Sequence, residues 1–109
     1  MPHDEELAER LRELLDGQDG LTEKRMFGGV AFLLGGHMAV AASGQGGLMV
    51  RVDPARGDRL LDRPGAEPMV MRGRPMTGWL RVDNDHLDHD ALHAWVDEGV
   101  FYVRSLPPK

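Results

Sequence analysis

The sequence has no cysteine, and this absence excludes several kinds of chemistry at once. Disulfide frameworks, thiolate zinc sites, thiol nucleophiles and iron–sulfur clusters all require that residue. The chain also lacks the apolar run of about 18 residues that a membrane-spanning helix needs. Its acidic start, Met1-Pro2-His3-Asp4-Glu5-Glu6, lacks the basic and apolar regions of a signal peptide. We therefore expect a cytoplasmic protein with no membrane partner.

Basic charge and aromatic side chains are also scarce. The 109 residues include 13 lysines and arginines against 18 aspartates and glutamates, which gives a net charge of -5. This balance, with only two Trp, one Tyr and three Phe, is unlike a typical nucleic-acid-binding protein. Because 41% of the residues are hydrophobic, the chain can bury one core without a metal or a disulfide, and we predict one compact domain over residues 1–109.

Hydrophobic spacing and capping residues predict an α+β fold in the order α-β-β-β-α-β-β-α, with the helices packed on an antiparallel sheet. Three helices are predicted. The first covers residues 4–16, a short second helix follows the N-cap and proline of Asp53-Pro54, and the third runs from Asp88 to about residue 106. Strands are predicted over residues 25–34, 38–42, 47–52, 67–71 and 79–82.

Glycine pairs mark the turns between these strands. We expect Gly28-Gly29 to bend or bulge the first strand and Gly35-Gly36 to form a hairpin turn. Residues 73–78 are rich in glycine and proline and are predicted to form a turn between the last two strands.

Histidines and aspartates near the last helix are candidate metal ligands. His89 and His93 are four residues apart on a predicted helix, a spacing that can place two nitrogens on one metal. No third ligand is indicated, and ordinary amphipathic helices carry such residues, so we predict no metal site. The surrounding aspartates are expected to solvate and cap the helix start; they are Asp83, Asp85, Asp88 and Asp90.

No pattern for catalysis or cofactor binding is present. Neither Ser43 nor Ser105 lies in a Gly-x-Ser-x-Gly sequence, and Gly44-x-Gly46 lacks the third glycine of a dinucleotide-binding loop. We therefore predict no catalytic residue, no cofactor and no enzymatic activity, with a small enzyme as the least favoured of three function classes.

Two surface features suggest partners. Arg72, Arg74 and Arg81 surround the last predicted turn and form a basic patch that suits an anion, a nucleic acid or an acidic protein. Several methionines fall in the predicted strands, where we expect them mostly to fill the core, with an adaptable methionine-lined groove as the alternative. These methionines are Met26, Met38, Met49, Met69, Met71 and Met76.

Three stretches of the chain together resemble the N-terminal domain of the TfoX/Sxy family, the bacterial regulators of natural competence and their stand-alone relatives. They are Arg25-Met26-Phe27-Gly28-Gly29-Val30, Gly73-Arg74-Pro75-Met76-Thr77-Gly78-Trp79 and Arg104-Ser105-Leu106-Pro107-Pro108-Lys109, and Gly47-Leu48-Met49-Val50-Arg51-Val52 also fits the family. The resemblance runs from about the first helix to the last residue.

This resemblance implies a compact α+β domain with a regulatory or interaction role, no cofactor and no catalytic residues. Long family members carry a second, C-terminal domain, so we expect a stand-alone N-terminal domain for which competence regulation is not assumed. We expect it to act by contact with an unidentified protein. The candidate interaction surface is Arg25, Met26, Phe27, Arg72, Arg74, Met76 and Trp79.

Alternatives remain open at this point. Trp79 suits either the surface or the core, because tryptophan is enriched in both binding hot spots and interiors. Direct DNA or RNA binding through the arginines is the second function, and its signature is an affinity that falls steeply with salt. A homodimer is also open, because a small sheet with one helical layer can leave a strand edge exposed.

Overall fold

One six-stranded antiparallel sheet organises the chain. The computed structural model describes residues 5–26, 28–44 and 46–107. The strands are β1 (Leu21–Met26), β2 (Gly29–Leu34), β3 (His37–Ala42), β4 (Leu48–Arg51), β5 (Ala66–Met71) and β6 (Arg74–Val82). The helices are α1 (Glu5–Leu15), α2 (Gly57–Leu60) and α3 (His89–Arg104), with short 3-10 turns at Pro54–Arg56 and Asn84–His86. Across the sheet the strand order is β1-β2-β3-β4-β6-β5.

The α+β class and the antiparallel sheet are confirmed, and the sheet holds one strand more than the predicted order. Gly28-Gly29 does not bend a single strand: Met26 pairs with Gly29, so a hairpin separates β1 from β2. Strand β1 lies at the sheet edge, and its side chains from Leu21 to Arg25 are all exposed. A strand exposed on both faces has no apolar alternation, which is why the pattern missed it.

The predicted turn over residues 73–78 is also corrected. Met71 pairs with Arg74, which leaves only Arg72 and Gly73 between β5 and β6. The residues that follow belong to β6. Their glycine and proline content reflects an irregular strand rather than a loop, since the register shifts between Pro68 and Val70 and Gly78 has a φ of +85°.

The core lies on one face of the sheet, beneath α1 and α3. Leucines of α1, alternate apolar residues of the strands and Trp95 of α3 form one buried cluster. Helix α3 approaches the strands closely at Gly99, where an added Cβ would lie 2.8 Å from the backbone oxygen of Ala39. The absence of a side chain at this position therefore sets the distance between helix and sheet.

Asp53 and Asp88 cap helical segments as expected, whereas the side chain of Asp83 makes no capping hydrogen bond. The side chain of Asp53 accepts a hydrogen bond of 2.9 Å from the Ala55 amide, and Asp88 accepts one of 2.8 Å from the Ala91 amide. Pro54 follows directly at the first position of its turn, where the missing N–H costs nothing. These contacts satisfy amide groups that have no partner within the helix.

The end of α3 and the residues after it contact the loop between α1 and β1 and the strand β3. Arg104 donates to the side chain of Gln18 (2.8 Å) and to the backbone oxygen of Asp19 (2.9 Å). The buried His37 has its Nε2 2.6 Å from the Pro107 carbonyl oxygen, so this nitrogen carries the proton and donates it. Residues 104–107 thus anchor the end of α3.

Two glycines provide a matched test of this packing. We expect Gly99→Ala to lower the free energy of unfolding by about 1–3 kcal/mol, because its Cβ meets the backbone of β3. We expect Gly57→Ala to raise it by about 0.5–1 kcal/mol, since Gly57 is helical and its added Cβ meets nothing within 4 Å. Urea unfolding of both variants measures whether the free energy of unfolding falls or rises. A stabilising Gly99→Ala would contradict the close approach of α3 to β3.

Candidate binding groove and hairpin tip

The face of the sheet opposite the helices carries a groove of about 340 Å³. Ala31 and Ala41 lie on its floor, in the middle of the sheet. Four methionines and a tryptophan contribute most of the remaining apolar lining: Met38, Met49, Met69, Met76 and Trp79. The volume lies at the lower end of the range for ligand pockets, about 300–1,000 Å³.

The four methionines correct the expectation that methionine mainly fills the core. Met38, Met49 and Met76 are half-buried and Met69 is buried, but all four line the groove rather than the cluster beneath the helices. The thioether is flexible and polarisable, so such a lining adapts to the shape of what it contacts. The alternative of a methionine-lined groove is therefore the one that these four positions support.

Two irregularities in the strands create this lining. Phe32 pairs with Val40 but Leu33 pairs with Met38, so Ala39 is an extra residue in β3. The extra residue reverses the alternation, and Met38 lines the groove although Val40, two residues later, lies in the core. A second register shift, beside Met69 in β5, lies at the other side of the groove.

Trp79 is half-buried at the groove and is not part of the core cluster. The guanidinium carbon of Arg51 lies 5.8 Å from the centroid of the Trp79 ring and 5.5 Å from that of Tyr102. These distances fall within the range of cation–π contacts, about 6 Å. Arg51 therefore links the tryptophan at the groove to helix α3.

The charge of the groove is positive. Arg72 and Arg81 line it, and among the described lining residues none is aspartate or glutamate. Arg81 is held in place because its Nη2 donates a hydrogen bond of 2.8 Å to the Gly46 carbonyl oxygen. The groove thus offers an apolar floor with guanidinium groups beside it.

The hairpin tip is made of Arg72 and Gly73. Both have positive φ, 54° and 77°, as a two-residue hairpin turn of the right twist requires. Arg72 is the one non-glycine residue with positive φ in the described part of the chain. Side chains other than Asn and Asp rarely adopt this conformation, and it costs about 1–2 kcal/mol. The fold therefore holds a strained arginine at an exposed tip.

The predicted interaction surface divides into three groups. Arg72, Met76 and Trp79 meet at the groove, and Arg74 lies next to them, exposed beside the tip. Arg25 is exposed on the edge strand β1 and is not among the described lining residues, although it pairs with Val30, which lines the groove. Phe27 and the side chain of Met26 lie outside the described part of the structure, although the neighbouring Gly29 lines the groove.

Sequence reasoning did not assign Met38, Met49 and Met69 to this surface. Met49 lies between Leu48 and Val50, two core residues, so the simple alternation of β4 already placed it on the other face. Met38 and Met69 lie beside register shifts, which no periodic pattern reveals.

The histidines of α3 are not arranged as metal ligands. His89 and His93 are exposed, and His93 Nδ1 lies 3.7 Å from a carboxylate oxygen of Asp97. Within residues 5–26, 28–44 and 46–107, no three histidines or carboxylates are grouped as metal ligands would be.

A comparison of the sequence with models of protein families finds a match to the TfoX N-terminal domain over residues 13–101. The chain belongs to the TfoX N-terminal domain family. The match begins within α1 and ends within α3, so this TfoX N-terminal domain includes all six strands, the groove and the hairpin tip. No curated protein and no solved structure matches the chain. None of the helices in the described part is long and apolar enough to cross a membrane.

The strain at the tip generates a stability prediction. Asparagine adopts positive φ more readily than arginine and is favoured at this position of a two-residue hairpin turn. We expect Arg72→Asn to raise the free energy of unfolding by about 1 kcal/mol, and Arg74→Asn, in the strand beside it, to give no such gain. Thermal unfolding of the two variants checks this, and a destabilised Arg72→Asn would show that the turn needs the arginine side chain.

Proposed function

We propose that this TfoX N-terminal domain is a regulatory protein-binding module. Its groove accepts an apolar segment of a partner protein that also carries carboxylates. The observation that carries the proposal is the composition of the groove: four methionines and a tryptophan on one open sheet face, with two arginines beside them.

The apolar part of the lining supports a peptide segment as the occupant. Tryptophan and arginine are the residue types most enriched among energetically important interface residues, and methionine is enriched in interfaces generally. Trp79 is only half-buried, so part of its ring is available for contact. An extended or helical segment with two or three apolar side chains matches such a groove.

The charge of the lining selects the polar part of the partner. Arg72 lines the groove at an exposed position, and a guanidinium binds a carboxylate through paired hydrogen bonds. A partner with aspartate or glutamate next to its apolar residues would therefore be favoured over a neutral or basic one.

The side chains at the groove favour binding over catalysis. Among its described lining residues none is His, Asp, Glu, Lys, Tyr or Cys, the groups that most often act as general acids, bases or nucleophiles. Ser43 is the one hydroxyl-bearing residue in that lining. The groove offers contact area and fixed positive charge.

A displayed random-peptide library tests this proposal. Selection on the folded protein should enrich peptides that combine large apolar residues with aspartate or glutamate. Binding of these peptides should change the fluorescence of Trp79, whereas Trp95 is buried in the core and should report little. Met49→Glu places a negative charge on the groove floor, where it repels the carboxylates of the selected peptides. We expect this variant to bind those peptides at least about tenfold more weakly.

The matched control is Ala94→Glu, which adds the same charge on the exposed face of α3. It should leave peptide affinity unchanged, and thermal unfolding should show that both variants fold. Peptides that bind Met49→Glu as well as the unmodified protein would contradict the groove as the site. A concentration-dependent dimer that Met49→Glu dissociates would instead identify a second copy as the occupant, and would overturn the proposed partner.

A further inference from the structure

The hairpin formed by β5 and β6 extends beyond the rest of the sheet. Strand β4 pairs with β6 only from Trp79 to Val82, whereas β6 itself begins at Arg74. Gly78 still accepts a hydrogen bond of 2.9 Å from the Val52 amide, just after β4. Before Gly78, no strand pairs with β6 on the β4 side, and the hairpin forms a narrow two-stranded ribbon whose Val70, Arg72 and Met76 also line the groove. Val70 near its end is 57% exposed, although it is a large apolar residue.

The charge of this ribbon differs from that of the whole molecule. The chain has 18 aspartates and glutamates, but residues 68–82 contain none and include Arg72, Arg74 and Arg81. Arg72 and Arg74 are exposed. The end of the ribbon is thus a local basic site on an acidic domain, which attracts an anionic partner over a short range.

The order of residues at the end of the ribbon suits one kind of anion in particular. Arg72, Gly73, Arg74 and Pro75 follow one another, all exposed. A Cβ at Gly73 would meet nothing within 4 Å, so the glycine leaves the tip thin between two guanidinium groups. The minor groove of B-DNA is only about 6 Å wide, and it admits thin backbone segments and arginine side chains.

We propose that this hairpin tip binds the minor groove of A·T-rich DNA, with Arg72 and Arg74 inserted into the groove. Runs of A·T pairs narrow the minor groove and strengthen its negative potential, which favours inserted arginines over contacts to phosphates alone. An acidic protein would meet the same charges, but it would not require two arginines separated by one glycine on a narrow ribbon. The tip shares Arg72 with the methionine-lined groove, whereas Arg74 is not among the described lining residues of that groove and therefore separates the two proposals.

The strained conformation of Arg72 supports a role for its side chain. A two-residue turn of this type normally carries Asn, Asp or Gly at the first position, yet here it carries arginine with a φ of 54°. Strain of this kind is retained where the side chain serves a function. Insertion into DNA gives that side chain a function at the one point of the hairpin farthest along the ribbon.

Fluorescence anisotropy with labelled duplexes tests the proposal on the full chain. At about 25 mM salt we expect micromolar binding to an A·T-rich duplex, and at least about fivefold weaker binding to a G·C-rich duplex of the same length. Because two arginines make the contacts, the slope of log affinity against log salt should be about −1.8. A small molecule that fills the A·T minor groove should compete.

Variants of the tip separate this site from general charge effects. We expect Arg74→Ala and Arg72→Asn each to weaken A·T binding at least about fivefold, because each removes one inserted guanidinium from the negative potential of the narrow minor groove. Arg59→Ala removes the same charge from the exposed surface of α2 and should change affinity less than twofold. All three should unfold cooperatively, and Arg72→Asn should do so at a temperature no lower than the unmodified protein.

Three results would overturn the proposal. They are equal affinity for A·T-rich and G·C-rich duplexes, no binding at about 100 µM protein in low salt, and equal loss of affinity in Arg59→Ala and Arg74→Ala. A fourth result, equally tight binding to polyglutamate, would also overturn it, because the tip would then be assigned to acidic proteins. Arg74 is not among the described residues that line the methionine groove. Arg74→Ala should therefore bind the peptides selected on that groove with unchanged affinity, whether or not it still binds DNA.

Discussion

The packing of α3 against β3 and β4 is the contact on which the rest of the structure depends. Gly99 allows the helix to approach until its backbone touches that of the sheet, and Trp95 and Val96 are then buried beneath it. Because the helices occupy only one face, the apolar residues needed for stability are concentrated there. The opposite face is free to present a surface whose composition is not dictated by the core.

Two local departures from regular pairing give that second surface its shape. An extra residue in β3 turns Met38 away from the core, and a shift in β5 lies beside Met69. Bulges increase the local twist and bend of a strand, so they curve the sheet around the groove. The basic ribbon extends from the same side, and its arginines give the groove and the tip one sign of charge.

The elements with a strong periodic signal could be predicted from the sequence, and the irregular ones could not. The leucines of α1, the stripe of α3 and the capping aspartates Asp53 and Asp88 all lie where the pattern placed them. Strand β1 escaped prediction because its side chains are exposed on both faces. The glycine and proline content of residues 73–78 predicts a turn where the structure has the first part of β6, because strand propensities describe regular strands and this one is irregular and lies partly beyond β4.

The candidate site shows the same division. Arginines at a glycine-rich turn pointed to Arg72 and Arg74, and the family motif pointed to Met76 and Trp79. Nothing in the spacing of residues could place Met38 and Val40 on opposite faces of the sheet, because that arrangement arises only when β3 pairs with β2 and leaves Ala39 without a partner. Long-range register, rather than local preference, assembled the groove.

The alternation of core and groove positions along the same strands has a consequence for how such a domain can change. In β4, Leu48 and Val50 face the helices, and Met49, which lies between them in the sequence, faces the groove. Neighbouring residues of this strand are therefore constrained by different surroundings. Replacing Met49 alters the groove while leaving the volume beneath the helices filled. The composition of this face can therefore change at little cost to the free energy of unfolding, and the sheet can serve as a scaffold on which a different surface is selected.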